Sequence, residues 1–142
     1  QPLSIWYATN VVGGSNFTVT VKLQSAGSLT VAIHEYAEAA TSSVVDQTAR
    51  ANGRGTVASS GPAATTSAND LLFAATTHWD STNTSATAGA GFTLRRSLAN
   101  NTTAAALFTE DQPVTTTGTY AGTFKYAHTA NYRAAVIAFR SR

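Results

Sequence analysis

The chain has 142 residues, enough for one domain with one sizeable core. Only 11% of the residues are charged, the net charge is +2, and there are 0 Cys and 0 Met. This excludes a disulfide scaffold and a cysteine-held metal, leaves Thr, Ser, Asn and Gln to build the polar surface, and fits an extracellular β-protein. Arg95-Arg96 and the Arg140/Arg142 end are the only local concentrations of basic residues. No Lys/Arg stripe interleaves with aromatics, so nothing points to nucleic acid, and no apolar run is long enough to span a membrane.

The chain opens QPLSIWYATNVVGG, in which Ile5, Trp6 and Tyr7 read as strand interior and Gly13-Gly14 as a turn. Phe17, Val19, Val21 and Leu23 then alternate with Thr18, Thr20, Lys22 and Gln24, the period-two pattern of a strand with one buried face. Ala26-Gly27-Ser28 is a turn, and LTVAIHEYA, with Leu29, Val31 and Ile33 in phase, completes a predicted hairpin. From about residue 38 to 69 the chain becomes polar and small, with Gly53, Gly55, Gly61 and Pro62. It reads as a long surface connection carrying an apolar anchor at Val44-Val45 and one short strand at GTVAS. NDLLFAATTHW is a strand whose continuous apolar run predicts cover on both faces. Strands follow at FTLRRS and AAALFTED, and GTYAGTFKYA and NYRAAVIAFR form a final pair split at His128-Thr129-Ala130. About eight strands and essentially no helix predict a single all-β antiparallel sandwich, immunoglobulin-like or jelly-roll-like, over 1–142.

Residues 14–36 overlay 117–139 at a constant offset of 103, with Phe17 on Tyr120, Lys22 on Lys125, Leu29 on Tyr132, Ile33 on Val136 and Tyr36 on Phe139. The second copy follows its own strand pair, whereas only residues 1–8 precede the first. The repeat therefore predicts a domain entered partway, lacking strands on its amino-terminal side. The absence of Met at residue 1 predicts a processed start.

The segments SIWYATNVVGGSNFTVTV, VAIHEY, ANDLLFAAT, AGAGFTLR, TEDQPV and YRAAVIAFR resemble a Thr/Ser/Gly-rich immunoglobulin-like β-sandwich domain that recurs in large exported bacterial surface proteins. The resemblance implies a secreted or cell-surface location. It also implies a full domain that begins earlier, with a strand similar to DLLFAAT and a Gly-Asn turn.

The polar residues with chemical potential are His34, Glu35, His78, Asp80, Glu110, Asp111 and His128. His34 and Glu35 fall on opposite faces of a strand. His78 and Asp80 share a face but have no evident third ligand. Glu110-Asp111 reads as a pair of turn-solvating acids rather than a Ca²⁺ loop. No nucleophile elbow, phosphate loop or zinc-protease motif occurs, so neither catalytic residue, metal nor cofactor is expected. Lys22 and Lys125 occupy equivalent repeat positions, but alternation puts Lys22 on the solvated face, against an isopeptide crosslink.

The leading expectation is a secreted structural module of an extracellular fibre, surface layer or adhesin. Leu3, Ile5, Trp6 and Tyr7 would exchange as a strand with other copies of the chain or with a cleaved upstream segment. A second reading is a carbohydrate-binding module in which Trp79, Tyr126 and Tyr132 stack on a polysaccharide. Sequons mark Asn16, Asn83, Asn100 and Asn101 as candidate glycosylation sites.

Overall fold

The computed structural model of the chain describes residues 2–99 and 105–142. Among these there is no helix, and eight strands run β1 (Val45–Ser59), β2 (Ala63–Ala64), β3 (Asp70–His78), β4 (Thr87–Ala88), β5 (Thr93–Leu98), β6 (Ala106–Val114), β7 (Thr119–Tyr120) and β8 (Thr123–Arg140). The main sheet has the order β1-β8-β3-β6-β5, with β4 also joined to β8, and β2 and β7 form a separate pair. All pairings are antiparallel. The fold is all-β and sandwich-like, with no closed barrel.

β3 is the axis. Over its whole length it ladders to β6 on one edge and to β8 on the other, and both of its faces are covered, as its unbroken apolar run predicts. On one face Ala74, Phe108 and Val136 pack with Phe124 and Tyr126 from the first half of β8. The approach here is very close. A Cβ added to Gly122 would lie 2.3 Å from the Cβ of Ala74, so the backbone that leads into β8 rests directly on β3. Gly122 N–H donates to Ser60 Oγ at 3.0 Å, and Ser60 N–H donates to Gly122 O at 2.9 Å, holding that corner in place.

β8 is one continuous strand of 18 residues, where a hairpin broken at His128-Thr129-Ala130 was expected. Its register against β1 jumps, because Gly55 pairs Ala130 while Val57 pairs Lys125. Residues 126–129 thus bulge out opposite Thr56, and such a bulge leaves backbone groups without ladder partners. Asn83 takes two of them. Its Nδ2 donates to His128 O at 2.9 Å, and its Oδ1 accepts from His128 N–H at 2.8 Å. The strand bends there instead of turning back.

Two further differences from expectation have one cause. The stretch read as a surface connection contains β1, and the predicted hairpin over 17–36 forms no ladder among the described residues. The half-buried positions of β1 include Ala49, Ala51, Gly53 and Gly55, too small to register as hydrophobic alternation. They are small because large neighbours fill the space: a Cβ on Gly53 would sit 2.8 Å from the hydroxyl of Tyr132. The hairpin sequence has good alternation but no strand beside it, and alternation specifies a face, not a partner. The two stretches that overlay at offset 103 accordingly adopt different structures.

Gly122→Ala is expected to destabilise the protein by about 1–3 kcal/mol through overpacking against Ala74. Denaturant midpoints should show the loss, and Ala74→Gly should recover part of it when combined with Gly122→Ala. Additive losses in the double variant would show that the two residues do not press on one another.

Candidate functional site

The face of the sheet opposite Gly122 carries Phe73, Ala75, Leu107 and Ile137, and an amino-terminal arm, residues 2–37, covers it with Leu3, Ile5, Ala32 and Tyr36. Three contacts fix how the arm lies. Thr30 Oγ1 donates to Ala105 O at 2.8 Å, His34 Nε2 lies 3.1 Å from Thr109 Oγ1, and Tyr36 Oη donates to Asp111 Oδ2 at 2.8 Å. Each joins residues 75 apart in sequence. A constant offset means that the arm runs alongside β6, in the same direction and at the strand repeat, one layer above it.

Period two then divides the segment. Thr30, Ala32, His34 and Tyr36 face the sheet, while Leu29, Val31 and Ile33 point outward and are 45%, 43% and 58% exposed. The more apolar face is therefore the outer one, the reverse of the usual sandwich arrangement. Val19 and Val21 from the preceding segment, Leu29, Val31, Ala32 and Ile33, and Arg96 and Leu98 of β5 line a largely apolar groove of about 520 Å³. Residues 6–29 are exposed throughout.

Asp111 anchors the arm. It is buried, and its Oδ2 accepts both from Tyr36 and from Arg95 Nε at 2.8 Å. Burial, then the hydrogen bond to Asp111, pushes the Tyr36 phenol well above its usual pKa. Burial, then the charge of Arg96, lowers that of His34, so the imidazole favours its neutral form. The His34 ring lies 5.0 Å from Phe73 and 6.2 Å from Tyr36, to which it is nearly parallel.

Of the residues expected to exchange, Leu3 and Ile5 seat on the sheet, Tyr7 meets the ring of Phe139 edge-on at 5.7 Å, and Trp6 is 90% exposed. The aromatic trio of the carbohydrate reading does not form one surface. Trp79 is half exposed, but Tyr126 is buried with its hydroxyl 2.7 Å from Thr76 Oγ1, and Tyr132 lies half-buried over Gly53. Asn83 is also a correction to the sequon reading, since it is buried and both of its amide atoms are engaged with His128. Asn16 sits in an exposed turn at φ 65°. Asn100 and Asn101 lie outside the described residues. Lys22 and Lys125 are exposed.

The remaining acids are internal. Glu110 is fully buried and accepts from Gly89 N–H at 2.8 Å and Thr123 N–H at 2.9 Å, and burial raises its pKa to about 7. Glu110 and Asp111 are thus structural anchors at mid-strand, not turn-solvating acids. Asp46 receives Arg140 Nη2 at 2.6 Å, the hydroxyl and N–H of Thr66, and Ser67 N–H. Burial pushes its pKa up, but the hydrogen bonds from Thr66 and Ser67 outweigh it and hold the carboxyl at about 2. Asp70 beside it is buried with no N–H or O–H donor on either oxygen, and burial plus the charge of Asp46 raises it to about 6. As the pH falls, Asp70 is therefore the first of the two carboxyls to take up a proton, near pH 6.

His78 and Asp80 turn to separate partners. His78 Nδ1 accepts the Asp80 N–H at 3.2 Å, which leaves its proton on Nε2 among the rings of Phe108 and Tyr126, while the Asp80 carboxylate accepts from Thr82. Among the described residues, no three His, Asp or Glu side chains converge as a metal site would require.

No protein-family model matches the chain, and neither does any curated protein or solved structure.

The Tyr36→Phe variant should loosen the arm without disturbing the sheet, since a hydrogen bond to a buried carboxylate is worth about 1.5–3 kcal/mol. Limited proteolysis should cut residues 6–29 faster while β3 and β6 keep their amide protection; a wild-type cleavage rate would discount the anchor. Asp70→Asn tests the raised pKa of Asp70. A carboxyl whose folded pKa is raised stabilises fully below about pH 4, and that contribution is lost as pH rises through about 6, on the order of 2–3 kcal/mol in all. The variant should therefore gain stability relative to wild type between pH 4 and pH 7 in urea titrations. Parallel pH profiles would exclude the raised pKa.

Proposed function

We propose that this chain is a secreted structural module, a subunit or segment of an extracellular fibre, surface layer or adhesin, that assembles by β-strand addition. One observation carries the reading. Residues 29–36 lie over β6 as an extended segment of a second layer, yet no strand of the described chain pairs with them, and their large apolar side chains Leu29, Val31 and Ile33 face outward. Phe17, Val19, Val21 and Leu23 repeat that exposure one segment earlier, at 65%, 52%, 51% and 48%. Monomeric proteins seldom leave contiguous apolar patches larger than a few hundred Å² uncovered, and an unpaired strand is a template for another chain.

The low charge, the Thr/Ser-rich surface and the lack of Cys support an extracellular setting, as does the resemblance to bacterial surface domains. The buried acids Asp70, Glu110 and Asp111 serve the fold on this reading, each enclosed by the sheet and its connections. Of the carbohydrate reading only Trp79 retains an exposed ring.

Sedimentation and negative-stain microscopy of the full chain should reveal oligomers whose size grows with concentration. Val21→Asp with Val31→Asp should reduce them at least tenfold while leaving the unfolding midpoint nearly unchanged, because both side chains are exposed in the single chain. A concentration-independent monomer would end the proposal.

A further inference from the structure

We propose that the assembly partner is a second copy of this chain, and that residues 17–24 of one copy add as a strand to the outer edge of β1 in the next. This rests on the assembly reading above and names its donor and acceptor.

The acceptor is an unpaired edge. β1 is 15 residues long and ladders to β8 on one side, and among the described residues no strand pairs with its other side. Its register against β8 is regular from Gln47 to Gly55, so the strand runs straight there. Edge strands are normally blunted by Pro, Lys, shortness or mid-strand bulges. β1 contains no Pro, its irregularities fall outside that straight stretch, and the charged side chains there, Arg50 and Arg54, are both exposed on one face.

The donor matches it. Eight residues extended span about 26 Å and the straight part of β1 about 30 Å. Among the described residues, the only side-chain hydrogen bond made by residues 17–24 is a local one, from Thr18 Oγ1 to Asn16 O. The faces also match. β1 offers small Ala49, Ala51 and Gly53 on one side and polar Thr48, Arg50 and Asn52 on the other. An antiparallel register that sets Val21 beside Ala49 puts Val19 beside Ala51 and Phe17 beside Gly53, large against small. The same register sets Lys22 beside Thr48, Thr20 beside Arg50 and Thr18 beside Asn52, so the cations do not face one another.

Donor and acceptor lie at opposite ends of one molecule. Val19 and Val21 share a groove with Leu98 of β5, and β5 and β1 are the two outer strands of the sheet, about 19 Å apart at ordinary strand spacing. Pairing between copies is therefore head-to-tail, not the isologous contact of a two-fold dimer, and adds copies in an open chain unless the rotation between them closes a ring.

The absence of Cys makes the test clean. Asn52→Cys is mixed under mild oxidation with Thr18→Cys, Thr20→Cys or Lys22→Cys, all exposed positions, and disulfide-linked dimers are read on non-reducing gels beside sedimentation of the same samples. A heterotypic dimer from at least one mixture, at least tenfold above the homotypic background, is the expected result. Normal oligomers without that crosslink, or with homotypic arm-to-arm crosslinks predominating, would overturn the β1 assignment while leaving assembly intact. Absence of oligomers and crosslinks together would overturn both. A double variant, Thr18→Cys with Asn52→Cys, that closes within one chain at high dilution and forms no dimer at high concentration would also overturn the proposal.

Discussion

The structure depends on β3 being covered on two faces and paired on two edges. A strand in that position has no exposed backbone groups, so every neighbouring element has to be shaped to it. Ala74 is small so that the backbone at Gly122 can rest on it, and that contact sets the height at which β8 enters the sheet. Glu110 then takes the N–H groups of Gly89 and Thr123, tying the loop before β5 and the start of β8 to β6. A buried carboxyl is a costly tie, and its raised pKa reflects that cost.

The two faces of β3 are covered by different means. On the Ala74 face the cover is itself hydrogen-bonded strand, with Phe124 and Tyr126 embedded in β8. On the Phe73 face the cover is an arm that packs without pairing, held by Thr30, His34 and Tyr36 at one repeat along β6. Elements with few buried contacts and solvated backbone open at low free energy, independently of the core. Among the described residues, Thr30, His34 and Tyr36 tie the arm to β6 through their side chains rather than through a backbone ladder.

What was legible in the sequence follows the same division. β3, β5 and β6 announced themselves, because an apolar run or strict alternation is enough where neighbours are large. β1 did not, since its inner positions are Ala and Gly and the bulk that fills them comes from Tyr132, a residue distant in sequence. The continuity of β8 was hidden because the residue that stabilises its bulge, Asn83, lies 45 positions away. The alternation of residues 29–36 was legible, but its inward face was misplaced. Thr30, His34 and Tyr36 face inward because Asp111, Thr109 and Ala105 offer them partners at matching intervals, a correspondence no local pattern carries. Asp111 in turn became an anchor because Arg95 and Tyr36 converge on it from two other segments.

The inverted polarity of the arm also discriminates between modes of association. Covering Phe17, Val19, Val21, Leu23, Leu29, Val31 and Ile33, each about half exposed, yields roughly 1 kcal/mol apiece, half of the usual value for full burial of such side chains. Bringing two copies together costs an estimated 4–15 kcal/mol before any contact contributes. Face-to-face stacking of these side chains is thus close to break-even by itself. Strand addition covers fewer of the outer side chains but adds a main-chain ladder along β1, and ladder bonds contribute about 0.5–1.5 kcal/mol each. They also fix the register, which a smooth apolar face leaves free to slide. The inward polar contacts of residues 30–36 act in the same sense. By holding the arm at one position over β6 they keep residues 17–24 beside β5, at one end of the molecule, and in the proposed assembly such a fixed donor would favour ordered growth over non-specific clustering.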